Sequence, residues 1–246
     1  MRTIASATVL VGVLVGACGV ATVGDSRRHE AVSPSRTVTP PTSMRLVGLG
    51  HASIAVPHDW DTNATRCGVP KKDTVVIDVG VVPLCGTSRP QGVESVEVMQ
   101  GEPPFDFTAD ERLTVDGVRA QRQATTCAPG GFGGPRVCVG TVRIPSMRVS
   151  FRAESSTTAA DVQRILDGIR IVPDQVGVPG FQTIALKHQG LSGKRYVAAL
   201  REVGLTAEVR TRKVPDIEPG YVLDVSPQPG TMLRPGAVVT VTVVAS

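Results

Sequence analysis

The sequence is poor in aromatic rings, in histidine and cysteine, and in long apolar runs beyond its first residues. Phe, Trp and Tyr make up 3% of 246 residues, too few for base-stacking platforms or for sugar sites walled by rings. Four histidines, at 29, 51, 58 and 188, and five cysteines show no close Cys-x-x-Cys or His pairing, so no metal site is expected. Lys and Arg number 26 against 22 Asp and Glu, a net charge of +4. The basic residues are scattered rather than clustered, which argues against a nucleic-acid partner. No G-x-S-x-G elbow, P-loop, H-E-x-x-H or kinase signature occurs, so no catalytic residue is assigned and no cofactor is expected. The stretch "CAPGGFGGPRVC" has the glycine content of a phosphate loop but does not join a strand to a helix. It is expected to be a hairpin loop clamped by Cys127 and Cys138. His51 and His58 flank one strand near Asp61 and read as solvated loop residues.

What the chain does have begins at its N-terminus. Arg2 precedes an apolar stretch from Ile4 to Val15, and Val15-Gly16-Ala17 leads into Cys18. A positive start, an apolar run and small residues before a boundary are the pattern of a secretion signal. The segment Val-Gly-Ala-Cys resembles the bacterial lipobox, which implies cleavage after residue 17 and a lipid on Cys18, attaching the chain to a membrane. An uncleaved anchor is the competing reading, since roughly 20 apolar residues span a bilayer. Either way the rest of the chain lies outside the cytoplasm. Residues 18–43 are polar, lack an apolar period and end in Pro40-Pro41, the composition of a disordered tether able to reach roughly 60 to 80 Å when drawn out.

With Cys18 set aside, Cys67, Cys85, Cys127 and Cys138 remain, an even number in an exported chain. Three pairings exist on paper. The local ones, Cys67 with Cys85 and Cys127 with Cys138, each join strand-like segments across a loop, so two disulfides are expected. Residues 44–175 read as an α+β domain, a central antiparallel sheet closed by one C-terminal helix. Runs at 44–57, 74–82, 93–99, 136–146 and 147–153 carry the β pattern, and Asp116-Gly117 between half-apolar runs signals a tight hairpin. In "TTAADVQRILDGIRI", Thr158 and Asp161 form a capping-box pair, and Val162, Ile165, Leu166 and Ile169 share one helix face. The single tryptophan, Trp60, is expected to plug an edge of this core. The opening "IAVPHDW" and closing "IRIVP" faintly resemble exported PsbP-like domains, which implies a three-layer sandwich and no particular activity. "VPDQVGVPG" then reads as an interdomain linker.

Residues 176–246 are patterned differently. Tyr196, Ala199, Leu200 and Val203 fall at helical spacing before Gly204, and "TAEVRTRKV" follows as a strand. Two further strands are joined through corners at Pro229-Gly230 and Pro235-Gly236, and Val239, Val241 and Val243 share one face of the last. Gly190-Leu191-Ser192, Gly204-Leu205, Pro219-Gly220-Tyr221-Val222, Ser226-Pro227 and Pro229-Gly230-Thr231 together resemble a PASTA domain, a helix on a three-stranded sheet. The resemblance implies binding of peptidoglycan or muropeptides, or docking to another wall component, without catalysis. Two departures stand out. "ALKHQG" replaces the family's Val-Pro before the first glycine, and Tyr196 replaces its helical alanine, so the core there must be enlarged or the ring exposed. Lys194, Arg195, Arg212, Lys213 and Arg234 are the candidate ligand-binding residues, because cations pair with muropeptide carboxylates. A protein partner for residues 44–175 is the alternative, with the last module a spacer.

Overall fold

The structure is a computed structural model that describes residues 43–77, 86–181 and 191–245. The expected signal peptide and tether, Cys18 and Cys85 lie outside these described residues. Strands β1 (Met44–Leu49) and β2 (Ala52–Pro57) form an antiparallel hairpin. Then come the two-residue strands β3 (Asp61–Thr62), β4 (Thr65–Arg66) and β5 (Val69–Pro70), of which β4 and β5 make a small ribbon. Strands β6 (Thr74–Ile77), β7 (Glu94–Gln100), β8 (Glu111–Val115), β9 (Val118–Ala128), β10 (Val137–Ile144) and β11 (Val149–Ser155) lead to helix α1 (Ala159–Leu166) and strand β12 (Ile169–Ile171). A seven-stranded sheet runs in the order β3-β6-β7-β11-β10-β9-β8, and a smaller one in the order β1-β2-β12.

Local rules account for much of this. Asp116 and Gly117, both at positive φ, make a two-residue turn that sets Val115 opposite Val118, as a tight hairpin with right-handed strand twist requires. Thr158 caps α1: its hydroxyl accepts from the Asp161 N–H, and the Asp161 carboxylate accepts from the Thr158 N–H. Val162, Ile165 and Leu166 are buried against the sheet, while Ile169 has passed into β12. Across β7, β10 and β11 the inward residues Val96, Val98, Val142, Phe151 and Ala153 are almost fully covered, and Trp60 joins the same cluster. The small sheet and α1 contribute to that one core.

One expectation needs correcting, and a second is met in part. The sheet is mixed rather than antiparallel, because β3, β6 and β7 run parallel. Residues 78–93 connect β6 to β7, a crossover long enough to return the chain in the same direction, whereas a hairpin would have reversed it. Among the described residues one complete disulfide is present rather than two. Cys127 and Cys138 face each other in the β9–β10 register and are bonded. Cys67 is disulfide-bonded as well, and Cys85, the partner expected for it, is among the residues not described.

The C-terminal module consists of β13 (Val176–Gly177), α2 (Gly193–Glu202), β14 (Thr206–Arg212), β15 (Val222–Ser226), β16 (Met232–Leu233) and β17 (Val238–Val244). Its sheet has the order β14-β17-β15, with β14 parallel and β15 antiparallel to β17. Val239, Val241 and Val243 are covered by α2 through Tyr196 and Leu200.

The segment that reads as a linker is built into the fold. β13 pairs with β16, and Val176, Val178 and Phe181 belong to the module's core. The same segment is stitched to the central domain. Gly177 N–H donates to Gly50 C=O at 2.8 Å, and beside it Gly48 N–H donates to Gly230 C=O at 2.9 Å, while Val178 N–H to Thr231 C=O at 3.0 Å holds the segment to its own module. Backbones approach this closely only where side chains are missing. A Cβ on Gly177 would lie 2.0 Å from the Gly48 oxygen, and one on Gly230, at φ +82, 2.1 Å from Ile77 Cδ1.

Candidate functional site

The five cations proposed from sequence do not form a single group. The start of α2 is bound to the 220–222 turn: Gly193 N–H donates to Gly220 C=O, and Val222 N–H to Leu191 C=O. That turn holds the end of β17 through Gly220 N–H to Val244 C=O, and Ala245 N–H donates to Arg212 C=O. Lys194 and Arg195 on α2 therefore share one end of the module with Arg212 and Lys213, and all four are exposed. Asp216 and Glu218, in the β14–β15 connection, share that end, where cations outnumber anions. Arg234 is at the other end. It follows β16, its carbonyl accepts from Ala237 N–H, and its neighbour Leu233 pairs with Val176 at the junction. The four grouped cations thus sit on the end turned away from the central domain.

Ser192 caps α2, its hydroxyl accepting from the Arg195 N–H at 3.4 Å. Tyr196, which stands where the resemblance expects alanine, is fully buried. Its hydroxyl donates to Pro179 C=O at 2.8 Å, and its ring meets Phe181 edge-on with centroids 5.7 Å apart. The core is enlarged there, and residues 178–181 fill the extra space. The Val-Pro missing directly ahead of Gly190 is present further upstream as Val178-Pro179, with Val178 fully covered.

His51 and Asp61 are engaged in ordinary contacts, and His29 and His188 lie outside the described residues. His51 Nδ1 lies 2.7 Å from Gln175 C=O, and Asp61 pairs with Lys72. Among the described residues no three metal-ligating side chains gather.

Sequence reasoning missed a concave region on the outer face of the large sheet. Arg152 and Glu97 are cross-strand partners there, and Glu154 stands two positions along β11. The buried Arg89 pairs with Glu154 and donates to Ser95 Oγ at 3.0 Å and Val93 C=O at 3.3 Å. Burial lowers the Arg89 pKa below the ordinary guanidinium value, and the Glu154 charge opposes that shift. In sequence these charges alternate with apolar residues and read as a solvated strand face. The register alone shows that they meet, and nothing local marks Arg89.

No helix among the described residues is long and apolar enough to cross a membrane. No curated protein matches the chain. Residues 189–245 match the family model of the PASTA domain, so the C-terminal module is a PASTA domain, the mark of an extracytoplasmic protein associated with the cell wall.

Proposed function

We propose that the protein is a non-catalytic lipoprotein of the bacterial surface, held to the membrane by a lipid on Cys18. In this reading its PASTA domain contacts peptidoglycan or muropeptides through the end that carries Lys194, Arg195, Arg212 and Lys213. The observation that carries the reading is the grouping of these four exposed cations on the free end of a domain whose family is tied to the wall. Muropeptide stems carry carboxylates, and exposed Arg and Lys pair with them without a preformed pocket. Residues 18–43 would lift the folded part clear of the headgroups.

A second reading is favoured by the junction. A domain joined to its neighbour by backbone hydrogen bonds, not a flexible linker, suits a spacer that orients the central domain toward a membrane or wall-synthesis partner. Retention on purified peptidoglycan separates the two. Loss of retention on truncation after Pro173 is expected if the PASTA domain binds the wall, and unchanged retention refutes it. Cys18→Ser should abolish incorporation of labelled palmitate and release the protein from membranes. Labelling that persists would overturn the lipid assignment.

A further inference from the structure

We infer that the groove on the outer face of the central sheet is a binding site for a small amphipathic carboxylate. Its volume is about 430 Å³, within the range that holds small ligands. Val69, Pro70, Val76, Val137 and Val139 supply apolar walls, and the charged residues already described form the floor. The glycine-rich loop between Cys127 and Cys138 forms the rim and presents Phe132, 78% exposed and at φ 54.

The floor sets Arg89 and Arg152 beside Glu97 and Glu154, and what it offers an anion is one edge of the Arg152 guanidinium. Glu154 spends one carboxylate oxygen on Arg89 and the other on Arg152, so its acceptors are committed. Arg152 uses only Nη1 toward its carboxylates, Glu154 and, at 4.0 Å, Glu97. Its guanidinium lies over the Phe105 ring with 5.3 Å to the centroid, and its side chain remains 32% exposed. Among the described residues the Nε and Nη2 donors of Arg152 carry no hydrogen bond, and they have the fork geometry that takes a carboxylate with two hydrogen bonds. Glu97, 4.0 Å from Arg152 Nη1, is the one floor charge that opposes an anion. The apolar body of the ligand would lie along the valine wall and cover Phe132. An exposed ring on a glycine-flanked loop, tethered at its base by a disulfide, is placed to close over such a body.

Decanoate serves as the probe, with decan-1-ol as the uncharged control, titrated into the full chain by calorimetry and by amide chemical shifts. Decanoate is expected to bind in the submillimolar range and to shift amides of β5, β10 and residues 129–134. Arg152→Gln should weaken decanoate at least about tenfold, about 1.4 kcal/mol, and leave decan-1-ol unchanged. Phe132→Ala, on an exposed tip that the fold does not need, should weaken both ligands several-fold. Absence of decanoate binding at 1 mM, on the order of the weakest binding counted here, overturns the inference. So do shifts confined to the PASTA domain, or equal affinity in both variants. Should Arg152→Gln fail to fold, Phe132→Ala decides alone.

Discussion

The central domain and the PASTA domain reach a closed core by different routes. The central domain draws its core from its own alternating strands and α1, so each inward residue of β7, β10 and β11 meets another residue of the same domain. The PASTA domain is incomplete within its matched boundaries. Tyr196 needs Pro179 and Phe181, and β16 needs β13, all of which precede residue 189. A family boundary therefore marks where the sequence pattern is shared, and the folding unit extends past it. Because the added segment also pairs with Gly50, and Gly230 with Gly48, stability in the second region is tied to the first.

The largest expected effect tests that dependence. Tyr196→Ala removes a fully buried ring and should cost about 3–5 kcal/mol in the PASTA domain, seen as a separate early transition in denaturant. Tyr196→Phe keeps the ring, loses only the bond to Pro179 and should cost about 1 kcal/mol. Equal losses for the two would show that the ring packing contributes nothing. Gly230→Ala forces a Cβ into Ile77 at a positive φ, so about 2–4 kcal/mol should be lost. A single cooperative melt should also split into two, and a melt that stays single would separate the junction from stability. Replacing Cys127 and Cys138 by Ala opens a loop with sequence separation 11 and should lower stability by about 3 kcal/mol in the chain-entropy model. That loss should be confined to the central domain.

The smallest effects fall on the cap of α1. Thr158→Ala should cost about 1 kcal/mol, measured by thermal denaturation. Asp161 adds a pH dependence of known sign. The Thr158 hydroxyl, then Arg164, holds its carboxyl below the ordinary value of 3.8. The stabilisation is complete above that value and is lost as pH falls through the lower folded value. The difference between wild type and Thr158→Ala should therefore shrink in acid. A difference that grows below pH 3.8 contradicts the capping assignment.

Local chemistry was legible from the residues. The Asp116-Gly117 turn, the Thr158–Asp161 box, the α1 face and the valine face of β17 all follow from neighbours a few positions apart. Legibility failed where partners are distant in sequence. The parallel entry of β6 depends on a crossover, and the meeting of Arg89, Arg152 and Glu154 depends on register. The assignment of 176–181 to a core depends on Tyr196, whose odd size was noticed without its partner. Of the five cations, the composition of each segment was readable. Their division into four at one end and Arg234 at the other needed the fold.

That division bears most directly on how the wall is met. A soluble muropeptide titrated into the labelled chain should shift amides at 192–195 and 212–213. Joint Lys194→Glu, Arg195→Glu, Arg212→Glu and Lys213→Glu substitution should weaken binding at least about tenfold, and Arg234→Glu should leave it unchanged. Shifts centred on Arg234 and the junction, or full affinity in the fourfold variant, would contradict the account.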